Sequence, residues 1–263
     1  MENFAYHTPA SVADASKLLD AHEDAKLIAG GMTLLPTLKQ RLASPSDLID
    51  LAGVAELRGI SREGDEIVIG AMTPHADVHE SALVRDAIPG LASLAGQIGD
   101  PAVRHRGTIG GSISNADPAA DYPAGLVGHG ATIVTNKRKI AADDFFTGLF
   151  ETALEPGEIV TSVRFPVPVW STYQKLRHPA SGYAVVGVLV AQTKAGVRVA
   201  VTGAGPSVFR IAKMEEALAR DFSAKSIEGI TVSADEMNND IHASAAYRAH
   251  VVTVLAKRAV AAR

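Results

Sequence analysis

"LIAGGMTLLP", residues 27–36, is an apolar run cut by two adjacent glycines and then resumed. Gly30 and Gly31 would weaken a core strand or a helix interior, where glycine costs backbone entropy and packs no side chain. The pair therefore marks a turn that needs bare backbone. "KLIA" (26–29) before it reads as a short buried strand. Leu34, Leu35, Leu38 and Leu42 after it fall at helical spacing, with Pro36 tolerable in the first turn. A strand-to-helix turn directs unpaired N–H groups outward at the positive end of a helix, which suits a phosphate if no side chain blocks the approach. Ala29 to Thr33 supplies that arrangement and Thr33 adds a hydroxyl. A tight turn with glycines at positive φ is the plainer reading, and one short glycine motif does not separate the two.

A second pair stands in "RHRGTIGGSISNADPAAD" (104–121), where Gly110 and Gly111 are flanked by the hydroxyls of Thr108 and Ser112. This stretch reads as another run of accessible amides. Two such loops could grip the two phosphates of a dinucleotide from two subdomains, whereas a lone anion site needs one.

Outward from the first loop, Thr8-Pro9 reads as a helix cap and first turn, with Val12, Ala15, Leu18 and Leu19 on one face. "LIDL" (48–51) is the next strand, so the chain opens in a βαβ-like manner. From residue 57 the pattern changes to a hairpin about Glu63-Gly64-Asp65, then a helix starting at Thr73-Pro74 and helical spacing over Ala82 to Ile98. Gly99 to about Asp121 reads as a long loop. "ATIVTNKRKI" (131–140) makes a second hairpin, and "EIVTSVRFP" (158–166) a strand ended by proline. "PVPVW" (166–170) reads as a linker, beyond which come strands near 172–177, 183–193 and 196–202 and helices near 210–220 and 244–261.

The 263 residues allow two domains of ordinary size or one with subdomains. A net charge of −4 with scattered basic residues gives no basic face for nucleic acid. The absence of cysteine excludes disulfides, thiolate nucleophiles and cysteine-held zinc or iron–sulfur centres within this chain. "AVVGVLVA" (184–191) is far too short for a membrane span, and "MENFAYHTPAS" lacks a signal-peptide layout, so the expected location is cytoplasmic.

Several motifs fail on inspection. No P-loop and no G-x-S-x-G is present. "GAGPSV" (203–208) has Val208 where a dinucleotide fingerprint needs glycine. His75 and His79 stand four apart but have no third ligand, so they read as a solvated helix face. Asp100, Asp117 and Asp121, with Arg104 and Arg106, read as ion pairs and Asx turns that fix a loop rather than as a catalytic cluster.

"LIAGGMTLLPTLKQRL", "DLIDLAGVAELRGI" and "IGDPAVRHRGTIGGSISNADPAADYPA" together resemble the FAD-binding medium subunit of molybdenum hydroxylases. The similarity is to the aerobic carbon monoxide dehydrogenase type, related to the flavin domain of xanthine dehydrogenase. "DDFFTGLFETALEPGEIVTSVRFP", "YQKLRHPASGYAVVGVLVA" and "HASAAYRAHVVTVLAKRA" continue it over almost the whole chain.

The resemblance implies an α+β, vanillyl-alcohol-oxidase-type (PCMH-like) FAD-binding fold. Two α+β subdomains, 1–55 and 56–168, would clamp an extended FAD, and a C-terminal α/β domain with an antiparallel sheet and helices, 169–263, would close over it. It implies that Leu27, Ile28, Ala29, Gly30, Gly31, Met32, Thr33 and Leu34, together with Thr108, Ile109, Gly110, Gly111 and Ser112, line the cofactor. Asp121 matches the aspartate that accepts from ribityl or ribose hydroxyls, and Ile98, Val160 and Tyr183 fall where family residues approach the flavin ring. Departures are Met32 for a polar residue, Ser112 for asparagine, and Gly128-His129-Gly130 within an otherwise smooth helical run.

No catalytic residue or metal ligand is expected of this chain. The molybdenum cofactor would reside on a molybdopterin-binding large subunit and the [2Fe–2S] clusters on a small subunit, assembled as a dimer of heterotrimers. FAD here would pass their electrons to an external acceptor. The rival readings are a self-sufficient FAD oxidoreductase of the same fold and a non-enzymatic nucleotide-binding module.

Overall fold

The computed structural model describes residues 1–263. Its first unit is a three-stranded parallel sheet in the order β1–β3–β2. It comprises β1 (Ala5–His7), α1 (Val12–Ala21), β2 (Lys26–Ile28), α2 (Leu34–Lys39) and β3 (Asp47–Asp50). β1 is absent from the reading above because its three residues are largely exposed and carry no apolar alternation. The cap of α1 is Ser11, not Thr8: its Oγ accepts from the Asp14 N–H at 3.1 Å. Val12, Ala15, Ile49, Leu51, Val54 and Leu57 form the core beneath, joined by Met72 and Ile159 from the second unit.

The second unit is a five-stranded antiparallel sheet in the order β4–β5–β10–β6–β7. β4 (Ile60–Glu63) and β5 (Glu66–Gly70) make the first expected hairpin. Then come α3 (His75–Glu80), α4 (Ala82–Ala87) and α5 (Pro89–Gly96), the helical spacing over 82–98 being divided between two helices at Ile88-Pro89. The stretch 99–121 is no loop throughout: it holds α6 (Pro101–Arg106) and α7 (Ile109–Asn115). Asp100 Oδ1 caps α6 through the Val103 N–H at 2.9 Å, and Thr108 Oγ1 caps α7 through Gly111 N–H at 3.1 Å. α8 (Tyr122–His129) follows and ends at Gly130 in the left-handed region. β6 (Thr132–Thr135) and β7 (Lys139–Ala141) form the second hairpin, with Lys137 and Arg138 at its tip. After α9 (Ala142–Phe145) and a small ribbon of β8 (Phe146–Gly148) and β9 (Glu151–Thr152), β10 (Val160–Pro166) completes the sheet.

The third unit is an antiparallel sheet of β11 (Trp170–Arg177), β12 (Ala184–Thr193), β13 (Gly196–Thr202) and β14 (Phe209–Arg210), with α10 (Ala212–Arg220) and α11 (Ala245–Ala261). β12 is buried along most of its length because α8 packs on one face and α11 on the other. That explains why its sequence is a continuous apolar run rather than an alternation. α11 buries Arg248, Val251, Val252, Leu255, Ala256, Ala259 and Val260, whereas Tyr247 is exposed. α8 is buried at every position, and its core continues into Tyr173, Leu189 and Ala191 of the third sheet. Gly128 allows this: a Cβ there would lie 2.3 Å from Leu189 Cδ2.

Candidate functional site

Between the first two units, and capped by residues 181–183 of the third, runs a cleft of about 700 Å³. Both glycine loops line it. Leu27, Ala29, Gly30, Gly31, Met32, Thr33 and Leu34 stand on one wall, and Thr108, Gly110, Gly111 and Ser112 on the other. Ile98, Asp121, Val160 and Tyr183 line it as well. Two of the expected residues do not: Ile109 is fully buried in the core, and the Ile28 side chain packs behind Gly31.

The glycines of the two loops are bare for different reasons. A Cβ on Gly30 would lie 2.0 Å from the Arg106 carbonyl oxygen and 2.8 Å from Gly107 Cα, so the loops cross in backbone contact. Gly31 has φ +72°, which a side chain would strain. Gly110 packs on Ala71, whose carbonyl accepts from its N–H at 2.8 Å.

The second loop is not a run of free amides. Ile109 N–H donates to Thr73 O at 3.2 Å, Gly111 N–H to Thr108 Oγ1, and Ser112 N–H to Thr108 O at 3.0 Å. These residues are the first turn of α7, and its cap and the β5–α3 connection consume the donors. The first loop differs. The N–H groups of Gly30, Gly31, Met32, Thr33 and Leu34 donate to no protein acceptor, and Thr33 at the start of α2 makes no side-chain cap. The anion-binding capacity of the cleft is thus concentrated on one wall.

Asp121 is buried. Its Oδ1 accepts from Tyr173 Oη at 2.5 Å and its Oδ2 from Lys175 Nζ at 2.8 Å. Burial pushes the Asp121 carboxyl up, with the Lys175 charge opposing, and the same burial pushes Lys175 down. Tyr173 reaches the carboxylate across Gly187, where a Cβ would meet its hydroxyl at 2.1 Å. Lys175 also donates to Gln97 O at 3.1 Å, Arg104 to Ile98 O at 2.9 Å and Arg177 to Gly99 O at 2.6 Å. Three cations therefore fix the turn that carries Ile98. Asp117 accepts from Ala119 N–H at 2.9 Å as an Asx turn. Of the three aspartates, Asp100 caps α6, Asp117 closes this turn and Asp121 pairs with Lys175, so the cation that meets the cluster is Lys175 and not Arg104 or Arg106.

Tyr183 lies 40 % exposed at the mouth. Burial of its hydroxyl and the nearby Asp117 carboxylate raise it above the ordinary tyrosine value, so it keeps its proton at neutral pH. His75 was expected on a solvated face but is buried at the cleft wall. Burial and Arg104 push it to about 4, so the ring is neutral, and its Nδ1 has no protein partner. His79 Nδ1 pairs with Ala92 O at 2.8 Å. Gly107, Asn115, Phe150 and Glu158 also line the cleft. Gly107, just ahead of the second pair, was open to detection. Phe150 and Glu158 reach the cleft only through the packing of β8–β9 and β10.

Residues 2–168 match the family described as "FAD binding domain in molybdopterin dehydrogenase". The chain belongs to this family. It is 36% identical to the carbon monoxide dehydrogenase medium chain of Hydrogenophaga pseudoflava, over 98% of this chain and 96% of that one. It is 35% identical to the nicotine 6-hydroxylase medium subunit of Paenarthrobacter nicotinovorans, over 97% and 95%. A solved structure of the Hydrogenophaga pseudoflava enzyme lacking the Mo-pyranopterin moiety of its cofactor superposes with a TM-score of 0.91, at 37% identity and covering 99% and 97%. As a member of the molybdopterin dehydrogenase FAD-binding family, the chain has the α+β flavin-binding fold that the resemblance implied.

Proposed function

We propose that this chain is the FAD-carrying medium subunit of a molybdenum hydroxylase complex. It would take electrons from [2Fe–2S] clusters on a small subunit and deliver them to an external acceptor, while a molybdopterin-binding large subunit oxidises the substrate. The observation that carries this reading is the asymmetric cleft. Five consecutive unpartnered N–H groups, Gly30 to Leu34, face a wall built from the second glycine pair. Its volume falls in the range of small-molecule sites, roughly 300–1,000 Å³.

FAD, when bound, supplies two-electron redox chemistry that exchanges with one-electron carriers. The chain's own residues bind and orient it. The free amides of Gly30 to Leu34 would donate to the pyrophosphate, and the bareness of Gly30 and Gly110 lets the backbones behind the two walls pack this closely. Asp121, already holding Tyr173 and Lys175, keeps lone pairs for a cofactor hydroxyl. Ile98, Val160 and Tyr183 bound the ring, and the cations on the Gln97–Gly99 carbonyls hold Ile98 still. The units 1–55 and 56–168 clamp the cofactor, and 169–263 brings Tyr183 over the mouth. The complex is a dimer of heterotrimers in the cytoplasm. No helix is long and apolar enough to cross a membrane.

The test is the visible spectrum of the purified chain, alone and with its partner subunits, after incubation with FAD and desalting. Flavin bands near one per chain, bleached by anaerobic dithionite, are expected. Gly31→Val, with folding verified by circular dichroism, should retain none, because a β-branched residue resists positive φ. Wild-type chain that stays colourless even with its partners overturns the reading.

A further inference from the structure

At the edge of the first sheet, away from the cleft, His7, His22 and Asp47 bring three donor atoms within 4.8 Å of one another. Each comes from a different element. His7 ends β1, Asp47 begins β3, and His22 is the C-cap residue of α1. His7 Nε2 lies 2.6 Å from Asp47 Oδ1, and His22 Nδ1 lies 3.4 Å from Asp47 Oδ2. Ser46 Oγ donates to Oδ2 at 2.7 Å, steadying the carboxylate from outside the triangle. The side chain of Asp47 is 7% exposed, that of His7 26% and that of His22 38%. The carboxylate is therefore anchored, and the two rings stand at an opening that water can enter.

We propose that His7, His22 and Asp47 form a binding site for a borderline divalent transition-metal ion of the zinc type. A hydrogen-bonded His–Asp pair would explain one imidazole. It does not explain a second imidazole aimed at the other carboxylate oxygen. Two imidazole nitrogens and one carboxylate suit zinc, nickel or copper, whereas calcium and magnesium prefer all-oxygen sets. Around tetrahedral zinc, with ligand bonds of about 2.0–2.2 Å, donors lie roughly 3.3 Å apart. The present triangle reaches that arrangement by rotation of the two partly exposed rings, leaving the fourth position to water. Such an ion ties three elements together. It matters most for β1, which is three residues long and pairs along one edge only, the kind of terminal segment that frays. None of this depends on what occupies the cleft.

The experiment uses the untagged full chain, stripped with chelator and dialysed. Zinc is titrated against a chromophoric competitor, and thermal unfolding is followed with and without zinc. One zinc per chain and a rise in Tm are expected. Loss of an outer partner of a metal ligand already costs about 10–100-fold in affinity, so H7Q and H22Q, which remove ligands, should each lose at least tenfold. They should also lose the zinc-dependent rise in Tm. His22 caps a helix through its backbone and is half-exposed, so H22Q serves even if H7Q folds poorly. H178Q disrupts the other histidine pair, His178 Nε2 to His242 Nδ1 at 3.1 Å, and should bind zinc as wild type does. Absence of zinc binding, unchanged affinity in H7Q and H22Q, or loss confined to H178Q overturns the proposal.

Discussion

Gly30 and Gly111 face the same cleft but tolerate a methyl group differently. At Gly30 the new Cβ would collide with backbone, the Arg106 carbonyl at 2.0 Å, which no rotamer change relieves. Gly30→Ala should therefore lose about 1–3 kcal/mol, the usual cost of overpacking. At Gly111 the nearest atoms are Thr108 Oγ1 at 3.0 Å and Ala29 Cβ at 3.4 Å, a crowding relieved by a few tenths of an ångström. Alanine in a helix gains about 1 kcal/mol over glycine, so Gly111→Ala should stay within about 1 kcal/mol of wild type. Urea midpoints of the two variants decide this, and equal stability would refute the crossing-loop account. At this scale the glycine pairs are legible because they interrupt apolar runs without serving them. The cause of their bareness is only half legible: Gly31 answers to backbone angle, but Gly30 and Gly110 answer to neighbours far along the chain. Asp121 shows the same limit. Tyr173 and Lys175 alternate onto one face of β11, yet nothing local says which carboxylate they meet.

The β6–β7 hairpin was readable from "TNKRK", but what secures it was not. Glu158, just before β10, accepts from Arg138 Nε at 3.0 Å, Thr135 Oγ1 at 2.7 Å and the Glu155 N–H at 2.8 Å. These bonds, Arg138 foremost, hold its carboxyl down at about 2 instead of 4.5. A carboxyl depressed in the folded state binds fewer protons there than in the unfolded chain. Its contribution is thus complete above about pH 4.5 and is lost as pH falls toward about 2. Glu158→Gln should unfold at lower urea than wild type at neutral pH, and the gap should close across that window; a gap constant with pH would count against the assignment. The elements missed were those too short to show a period. α6 and α7 have six and seven residues, and α6 carries Arg104, His105 and Arg106 with no buried side chain. Their existence rests on caps, Asp100 and Thr108, that were read as loop residues.

Across the whole molecule the strands β12 and β13 were legible from their apolar, β-branched runs, whereas the linker read at 166–170 shrinks to 167–169, because Pro166 ends β10 and Trp170 begins β11. The burial of α8 between two sheets was not legible, because a helix apolar on every side does not say what covers it. That burial has a measurable consequence. His129 at the end of α8 pairs Nδ1 with Gly125 O at 2.7 Å and Nε2 with Ser171 Oγ at 3.0 Å, an arrangement that requires the neutral ring to donate to the carbonyl and accept from the hydroxyl. Burial holds it at about 4, and His75 likewise, against 6.5 for a free histidine. A base depressed in the folded state takes up its proton later than in the unfolded chain. Between about pH 6.5 and 4 the unfolded state therefore binds more protons, and stability falls as pH falls, by up to about 1.4 kcal/mol per pH unit for each ring. Urea midpoints measured from pH 7 to 4 should show this limb. H129Q keeps amide groups for Gly125 and Ser171, and H75F fills the same space without a titrating group. Each should remove about half of the slope, and a wild-type midpoint that stays level through the window would show that these rings are not held neutral by the packing of α8 and α3.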